Sequence, residues 1–326
     1  MPIDASADWR ADLGGGTTIA LVQAGVFTSD AGTVLGPVPR LMWERLVEDE
    51  INPDHTLTQA LNCLLVETPS GRVLVETGCG ERMDDHHKAQ RGVRGEPILP
   101  SLRAAGFDPG SVDFVALSHL HFDHAGGLLT TAGEYAFPRA RIVAQADEWD
   151  FALGDNPRLT ASYEQPELRL AEAWARPGAA DGDEELIPGV EVRRTSGHSG
   201  GHQAIIVRGR DQTVAFIGDL CMRPWSANPK WITSFDDFPL TSVEVKSALF
   251  AEAAEEGWTA KCKDIADGTL FPKAESWIFG ANIPGKTNTV MFYMAGLGEY
   301  RKVLSDVTTN AYRGFALATD TSSAVA

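Results

Sequence analysis

The chain has 326 residues with 43% hydrophobic content, enough for a large sheet with helical layers or for two small domains around an ordinary buried core. Its formal net charge of −17 repels phosphate backbones and no basic groove offsets it, which argues against a nuclease and against nucleic-acid partners. No run approaches the ~20 apolar residues of a membrane span, and the start MPIDASADWRADLGGG has neither the basic opening nor the apolar core of a signal peptide, so a cytoplasmic location without a membrane partner is expected.

Taken in order, TIALVQAGVF (18–27), ALNCLLVET (60–68) and RVLVET (72–77) have the apolar, β-branched character of strands, and PSG between the last two predicts a hairpin turn. VDFVALS (112–118) is a short apolar strand that runs straight into a cluster of histidines. RIVAQ (141–145) predicts a strand, ADEWDFAL (146–153) and LRLAEAWA (168–175) predict helices, and VEVRRT (190–195), QAIIVR (203–208) and TVAFIG (213–218) predict three more strands. PLTSVEVKSALFAEAAEEGW (239–258) predicts an amphipathic helix with a Thr/Ser cap ahead of Glu244 and with Val243, Ala248, Leu249 and Ala253 on one face. Strands that cluster first and then alternate with helices indicate a layered α/β body without tandem repeats. The four cysteines, Cys63, Cys79, Cys221 and Cys262, are far apart with no CxxC spacing, and free, mostly buried thiols are expected.

The chemistry is concentrated at three strand ends. SHLHFDHAGG (118–127) places His119 and His121 two apart on an extended segment, so both project the same way, and Asp123 and His124 follow as the chain turns into a helix beside Gly126 and Gly127. A second loop, TSGHSGGH (195–202), carries His198 and His202, and Gly218-Asp219 ends the next strand with a carboxylate. Imidazoles and carboxylates delivered in this order by three loops are the donor types of a metal site.

SHLHFDHAGG, followed by SGHSGGH and GDL, resembles the metallo-β-lactamase superfamily of metal-dependent hydrolases. DAGTVLGPVPRLMWERL (30–46), LLVETPSGRVLVETGCG (64–80) and DDFPLTSVEVKSALFAEAAEEGW (236–258) look like its lactonase and organophosphate-hydrolase branch, and the likeness covers about residues 16–257. The resemblance implies an αββα sandwich with metals at one edge of two facing sheets. It implies His119, His121 and His198 on a first metal, Asp123 and His124 on a second, and Asp219 bridging both. His202 matches a histidine that is not a ligand, with a structural hydrogen-bonding role.

One further family ligand, a histidine on the strand after the 239–258 helix, has no counterpart, because all eight histidines lie at or before His202. From Trp258 the text changes character. KAESWIFGANIPGK (273–286) and the run from Tyr293 to Arg301 resemble the C-terminal end of flavin-dependent Baeyer–Villiger monooxygenases, with Trp277 matching a residue near NADP and substrate there. No GxGxxG follows a strand anywhere in the chain, so neither flavin nor NADP binding is expected. The expected organisation is a metal hydrolase domain over 1–257 and a foreign segment over 258–326 that replaces the last strand region and is not an independent functional domain.

The expectation is hydrolysis of a lactone, ester or organophosphate by metal-bound hydroxide, with Asp123 orienting the water and taking its proton. Zn2+ is expected firmly in the first site, at about 2.0–2.2 Å from its donors, and weakly or not at all in the second. Mn2+, Co2+ or Fe2+ remain open, as does a replacement donor such as Cys262 or Asp264. The loss of the last histidine implies impaired activity. A catalytically silent fusion protein and a mononuclear iron oxygenase are the other readings. Leu220-Cys221-Met222-Arg223-Pro224-Trp225 contains no tyrosine where some lactonases place a leaving-group donor, which weakens an acyl-homoserine lactonase assignment. Met222, Trp225, Trp231, Phe235 and Phe238 are read as core and loop packing. A small-molecule substrate is the expected partner, and a homodimer stays open.

Overall fold

The computed structural model describes residues 10–44, 47–223, 226 and 228–253, together with the backbone of 254–256, 259–261, 278–282 and 289–293. The first sheet runs β1 (Arg10–Gly14), β2 (Thr17–Asp30), β3 (Thr56–Thr68), β4 (Gly71–Val75), β5 (Phe114–Ala116), β6 (Arg141–Val143) in spatial as in chain order. Its first four strands pair antiparallel, and β4, β5 and β6 are parallel. Between and after them come α1 (Ala31–Leu35), α2 (Arg40–Trp43), α3 (Asp85–Gln90), α4 (Ile98–Ala104), α5 (Phe122–Ala125), α6 (Ala146–Ala152) and α7 (Gln165–Ala175). The second sheet contains β7 (Glu184–Ile187), β8 (Val190–Arg194), β9 (Gln203–Arg208) and β10 (Thr213–Phe216), a meander. Helix α8 (Pro239–Glu256) then leads to β11 (Thr259–Lys261), which pairs parallel to β10, and β12 (Ile278–Asn282) and β13 (Thr289–Tyr293) extend the sheet antiparallel.

Alternation along β3 explains the layering. Leu61, Cys63 and Leu65 point into a core shared with α4, α6 and α7, whereas Leu64 and Val66 point into a second core between the sheets. That second core joins Val73, Val75, Ala116 and Val143 of the first sheet to Val190, Val192, Ile205, Val207, Val214 and Phe216 of the second. A sheet covered on both faces needs near-continuous apolar strands, and each such side chain contributes about 1.5–3 kcal/mol on full burial. On α7 the buried residues Leu168, Ala171 and Ala175 form the core-facing stripe. Helix α8 lies against the outer face of the second sheet, where Glu252 pairs with Arg193 at 2.7 Å. The order of layers is therefore α, β, β, α, as expected.

Three expectations need correction. Pro239 already begins α8, so Thr241 and Ser242 lie inside its first turn and are not caps. The buried face of α8 is Ser242, Lys246, Leu249, Phe250 and Ala253, while Ala248 is exposed; Lys246 turns inward because its Nζ donates to the carbonyls of Ser226 (3.1 Å) and Trp231 (3.0 Å), which replace its hydration. Met222 and Trp231 do pack with Ala31, Val34, Leu35 and Leu57, with Phe235 against them, but Phe238 is 42% exposed. Trp225, Cys262, Asp264 and Trp277 lie outside the described residues. Cys63, Cys79 and Cys221 are buried thiols.

Candidate metal centre

Five strands end at one edge of the sandwich and deliver the site. After β4 come Glu76 and Thr77, after β5 Ser118 and His119, after β6 Gln145 and α6, after β8 the loop with His198, and after β10 Asp219. Short strands that stop in register at one edge leave their following residues free to converge. Tight backbone packing holds the loops there. A Cβ on Gly126 would meet the Cys79 carbonyl oxygen at 2.3 Å and one on Gly127 the Thr77 oxygen at 2.4 Å, so these glycines serve close approach. They stand where the chain turns into the helix, but the turn itself does not require glycine at Gly126, whose φ of −62° any residue adopts. Glu76, by contrast, sits at φ +68°, a conformation costly for a non-glycine residue and typical of sites held by their surroundings.

His119, His121, His198 and Asp219 form one buried cluster and Asp123, His124 and Asp219 a second, with the donor atoms in each within 4.8 Å of one another. His198 Nε2 lies 3.2 Å from His121 Nδ1 and 3.4 Å from Asp219 Oδ2, and His119 Nε2 lies 4.0 Å from the same oxygen. His124 Nε2 is 3.3 Å from Asp123 Oδ2 and 3.3 Å from Asp219 Oδ1. Donors about 2.1 Å from a tetrahedral centre stand about 3.4 Å apart. The spacing therefore fits an ion in each cluster, and Asp219 turns one oxygen to each. His119 Nε2 is buried without a hydrogen-bond partner, as a donor atom awaiting a cation would be.

The electrostatics point the same way. Burial, followed by the neighbouring His124, His121 and His198, holds the His119 imidazole well below its ordinary value, and burial with His198 does the same to His121. Both rings are thus neutral at pH 7, the form that binds metal. Burial also lowers His198, but the hydrogen bond its ring donates to Asp236 and the charges of Asp219 and Asp236 outweigh it and the net shift is upward.

Three of the four rings, His198, His124 and His119, are oriented from behind. His198 Nδ1 meets Asp236 Oδ1 at 2.7 Å, and Thr233 Oγ1 donates to that oxygen at 3.0 Å. His124 Nδ1 meets Glu76 Oε1 at 3.1 Å, and His119 Nδ1 meets Ser118 Oγ at 2.9 Å. Such partners fix the tautomer and raise ligand basicity. His202 stands apart from both clusters, with Nδ1 on Thr195 Oγ1 at 2.7 Å. Across the sheets, Gln203 Nε2 donates to the carbonyls of Leu117 (2.8 Å) and Val143 (3.1 Å), which ties β9 to the ends of β5 and β6.

The structure brings together all six expected residues, His119, His121, Asp123, His124, His198 and Asp219, and sets beside them Glu76, Asp236, Glu148 and Tyr163, which the sequence reading did not single out. Glu76 ends the apolar strand RVLV just as Asp219 ends TVAFI, so the same reading could have found it. Asp236, Glu148 and Tyr163 carry no comparable local signal.

A two-sheet sandwich with a buried His/Asp cluster of metal-ligand spacing at one edge defines a class of metalloprotein. The family model of the metallo-beta-lactamase superfamily matches residues 59–224, about half of the chain, and the chain belongs to that superfamily. It is 31% identical over 183 residues to an N-acyl homoserine lactonase of Bacillus cereus, covering 52% of this chain and 68% of the relative. The solved structure of AidC, a dizinc quorum-quenching lactonase, superposes with a TM-score of 0.70 at 21% identity, over 89% of this chain and 99% of that one. A separate likeness, 51% identity over 86 residues, is to a cyclohexanone 1,2-monooxygenase of Acinetobacter sp; it takes in 26% of this chain but spans only 16% of that relative's length.

Proposed function

We propose that this protein is a metal-dependent hydrolase that cleaves a lactone, an ester or an organophosphate. His119, His121, His198 and Asp219 would hold one divalent ion firmly, zinc by the donor set, and Asp123, His124 and Asp219 a second one weakly. The observation that carries this reading is the division of the Asp219 carboxylate between two donor clusters of metal-ligand spacing. A bound ion in such a site supplies Lewis acidity toward the substrate oxygen and acidifies water near neutral pH. The chain's own contribution is to position: the imidazoles of His119, His124 and His198 are held from behind by Ser118, Glu76 and Asp236, and Asp123 stands at the edge of the second cluster to orient the attacking water and accept its proton. The lactonase relatives favour a cyclic ester, and the absence of a tyrosine in 220–225 favours substrates other than acyl-homoserine lactones.

The second site is the weak one in this reading. Strand β11 runs parallel to β10, so its C-terminal end is carried toward the edge that holds Asp219, yet Thr259, Ala260 and Lys261 contain no imidazole and no histidine follows them. We assign 1–257 to the hydrolase domain and 258–326 to a segment of monooxygenase descent without flavin or NADP function, which the short monooxygenase match supports. A catalytically silent fusion is a second reading, favoured by the same missing imidazole. Among the described residues no helix is long and apolar enough to cross a membrane. We propose a cytoplasmic setting, a reading that the buried thiols of Cys63, Cys79 and Cys221 support.

The test is hydrolysis of a lactone panel and a paraoxon-type phosphotriester by the purified chain, before and after chelation and with zinc, cobalt or manganese added back. The hydrolase reading expects chelator-sensitive turnover that rises at millimolar metal. No turnover at any metal concentration would leave the silent-fusion reading standing.

A further inference from the structure

The expected ligands account for the metal clusters, but one fully buried carboxylate near them has no part in the proposed chemistry. Glu148, in the first turn of α6, has no exposure to solvent. Its Oε1 accepts from the backbone N–H of Leu120 at 3.0 Å and from the Tyr163 hydroxyl at 3.0 Å. Its Oε2 accepts from the Ser199 hydroxyl at 2.7 Å and from the backbone N–H of Gly201 at 2.8 Å. Leu120 lies between His119 and His121, and Ser199 and Gly201 flank the other side of the centre, next to His198. The Tyr163 ring packs edge-on against His121 at 4.6 Å between centroids. Glu148 thus touches the immediate neighbours of three metal-site imidazoles and none of the donor atoms.

Its surroundings leave little room for another arrangement. The 198–202 loop lies directly on α6: a Cβ on Gly201 would fall 2.5 Å from Glu148 N, and one on Gly200 would fall 2.9 Å from the Phe151 ring. The two loops come from different sheets; Gln203 ties β9 to the ends of β5 and β6, the rest of the shared core is apolar, and the hydrogen bonds of Glu148 join the two histidine loops themselves. A carboxylate supplies two oxygens that can each accept twice, and two of the four partners, the N–H groups of Leu120 and Gly201, can only donate.

We propose that Glu148 is a positioning residue that clamps the His119/His121 loop of one sheet to the His198 loop of the other and so sets the spacing of the first metal site. This rests on the metal-centre reading above. Its chemistry makes a specific demand: both oxygens must accept. A glutamine keeps the volume but replaces one acceptor with an N–H2 that opposes a backbone N–H, so one loop is released whichever way the amide turns.

The test uses the full chain, stripped of metal and titrated with Co2+, whose visible absorption reports ligand geometry, with thermal unfolding of the metal-free proteins alongside. Glu148→Gln is expected to weaken Co2+ binding about 10- to 100-fold and to alter the cobalt spectrum. Tyr163→Phe, which removes one of four donors, is expected to weaken it less, in the same direction. A Glu148→Gln protein with a lowered melting temperature but the wild-type Co2+ affinity and spectrum would show a merely structural role and overturn the proposal. If Glu148→Gln does not fold, Tyr163→Phe and Ser199→Ala decide, and wild-type affinity in both would overturn it. Failure of the wild-type chain itself to take up Co2+ would overturn the metal-centre reading as well, an outcome distinct from a wild-type that binds and a variant that binds equally.

Discussion

The His119 cluster and the His124 cluster share Asp219 and differ in what surrounds it. The first draws its donors from both sheets, three imidazoles and one carboxylate oxygen, and His198 is backed by Asp236 and Thr233. The second draws Asp123 and His124 from a single helical turn, α5, and adds the other Asp219 oxygen. Glu76 backs His124 as Asp236 backs His198, so the orienting shell is present in both. Among the described residues, what distinguishes them is donor number. In the proposed reading the second site keeps its scaffold and its supporting hydrogen bonds but is a ligand short, because that ligand would come from a different part of the chain than the scaffold does.

The comparison is broken most severely at the shared residue. Asp219→Ala should remove tight metal from the first cluster and all metal from the second, with loss of hydrolysis by about a thousandfold or more, measured as metal content and kcat/KM together. Loss of only one ion's contribution would mean that Asp219 does not bridge.

An asymmetry should follow one step down. His198→Ala should abolish tight binding, whereas His124→Ala should leave one tightly held ion per chain and impair only the response to added metal. Equal loss of tight binding in both variants would show that the clusters are not separable. Smaller again are the orienting partners. Asp236→Asn should weaken the first ion and Glu76→Gln the second, each about 10- to 100-fold, read by competition with a chromophoric chelator.

The six clustered residues were legible because strand-end loops announce themselves: an apolar β-branched run that stops at histidines or at Gly-Asp is a local pattern. The layer order was legible for a similar reason, since β3 and β10 are apolar on both faces. Glu148 and Asp236 were not, because a buried carboxylate is defined by its partners, which for Glu148 lie 15 to 53 residues away and for Asp236 include His198, 38 residues away, and nothing in ADEWDFAL or SFDDF distinguishes them from surface acids. Lys246 misled the helix reading in the same way: a charged residue on a periodic pattern reads as solvent-facing until the carbonyls that receive it are known.

The least of the expected effects concerns pH. In the folded, metal-free chain His119 and His121 are held below the ordinary histidine value, so between those lowered values and about 6.5 the unfolded chain binds protons that the folded chain does not. Their stability contribution is complete above that range and is lost as pH falls. His198 is shifted the other way and partly offsets them, its contribution being complete at low pH and lost as pH rises through its raised value. The metal-free melting temperature should therefore fall as pH goes from 7 to 5, at about 2–4 °C per kcal/mol, and His119→Gln should flatten the slope. An unchanged melting temperature across that range would contradict neutral, buried imidazoles.

The central claim is that one cluster is complete and the other is a ligand short, and the most direct test is a count of metal ions. The chain is purified, dialysed against trace zinc and assayed by elemental analysis, then assayed again for metal and for lactone hydrolysis after equilibration at millimolar zinc, cobalt or manganese. The account predicts about one retained ion per chain, a second that fills only at high concentration, and a rate that rises as it fills. Two tightly held ions per chain with full activity at trace metal would contradict it, and would mean that a residue beyond Lys261 supplies the donor that the missing histidine does not.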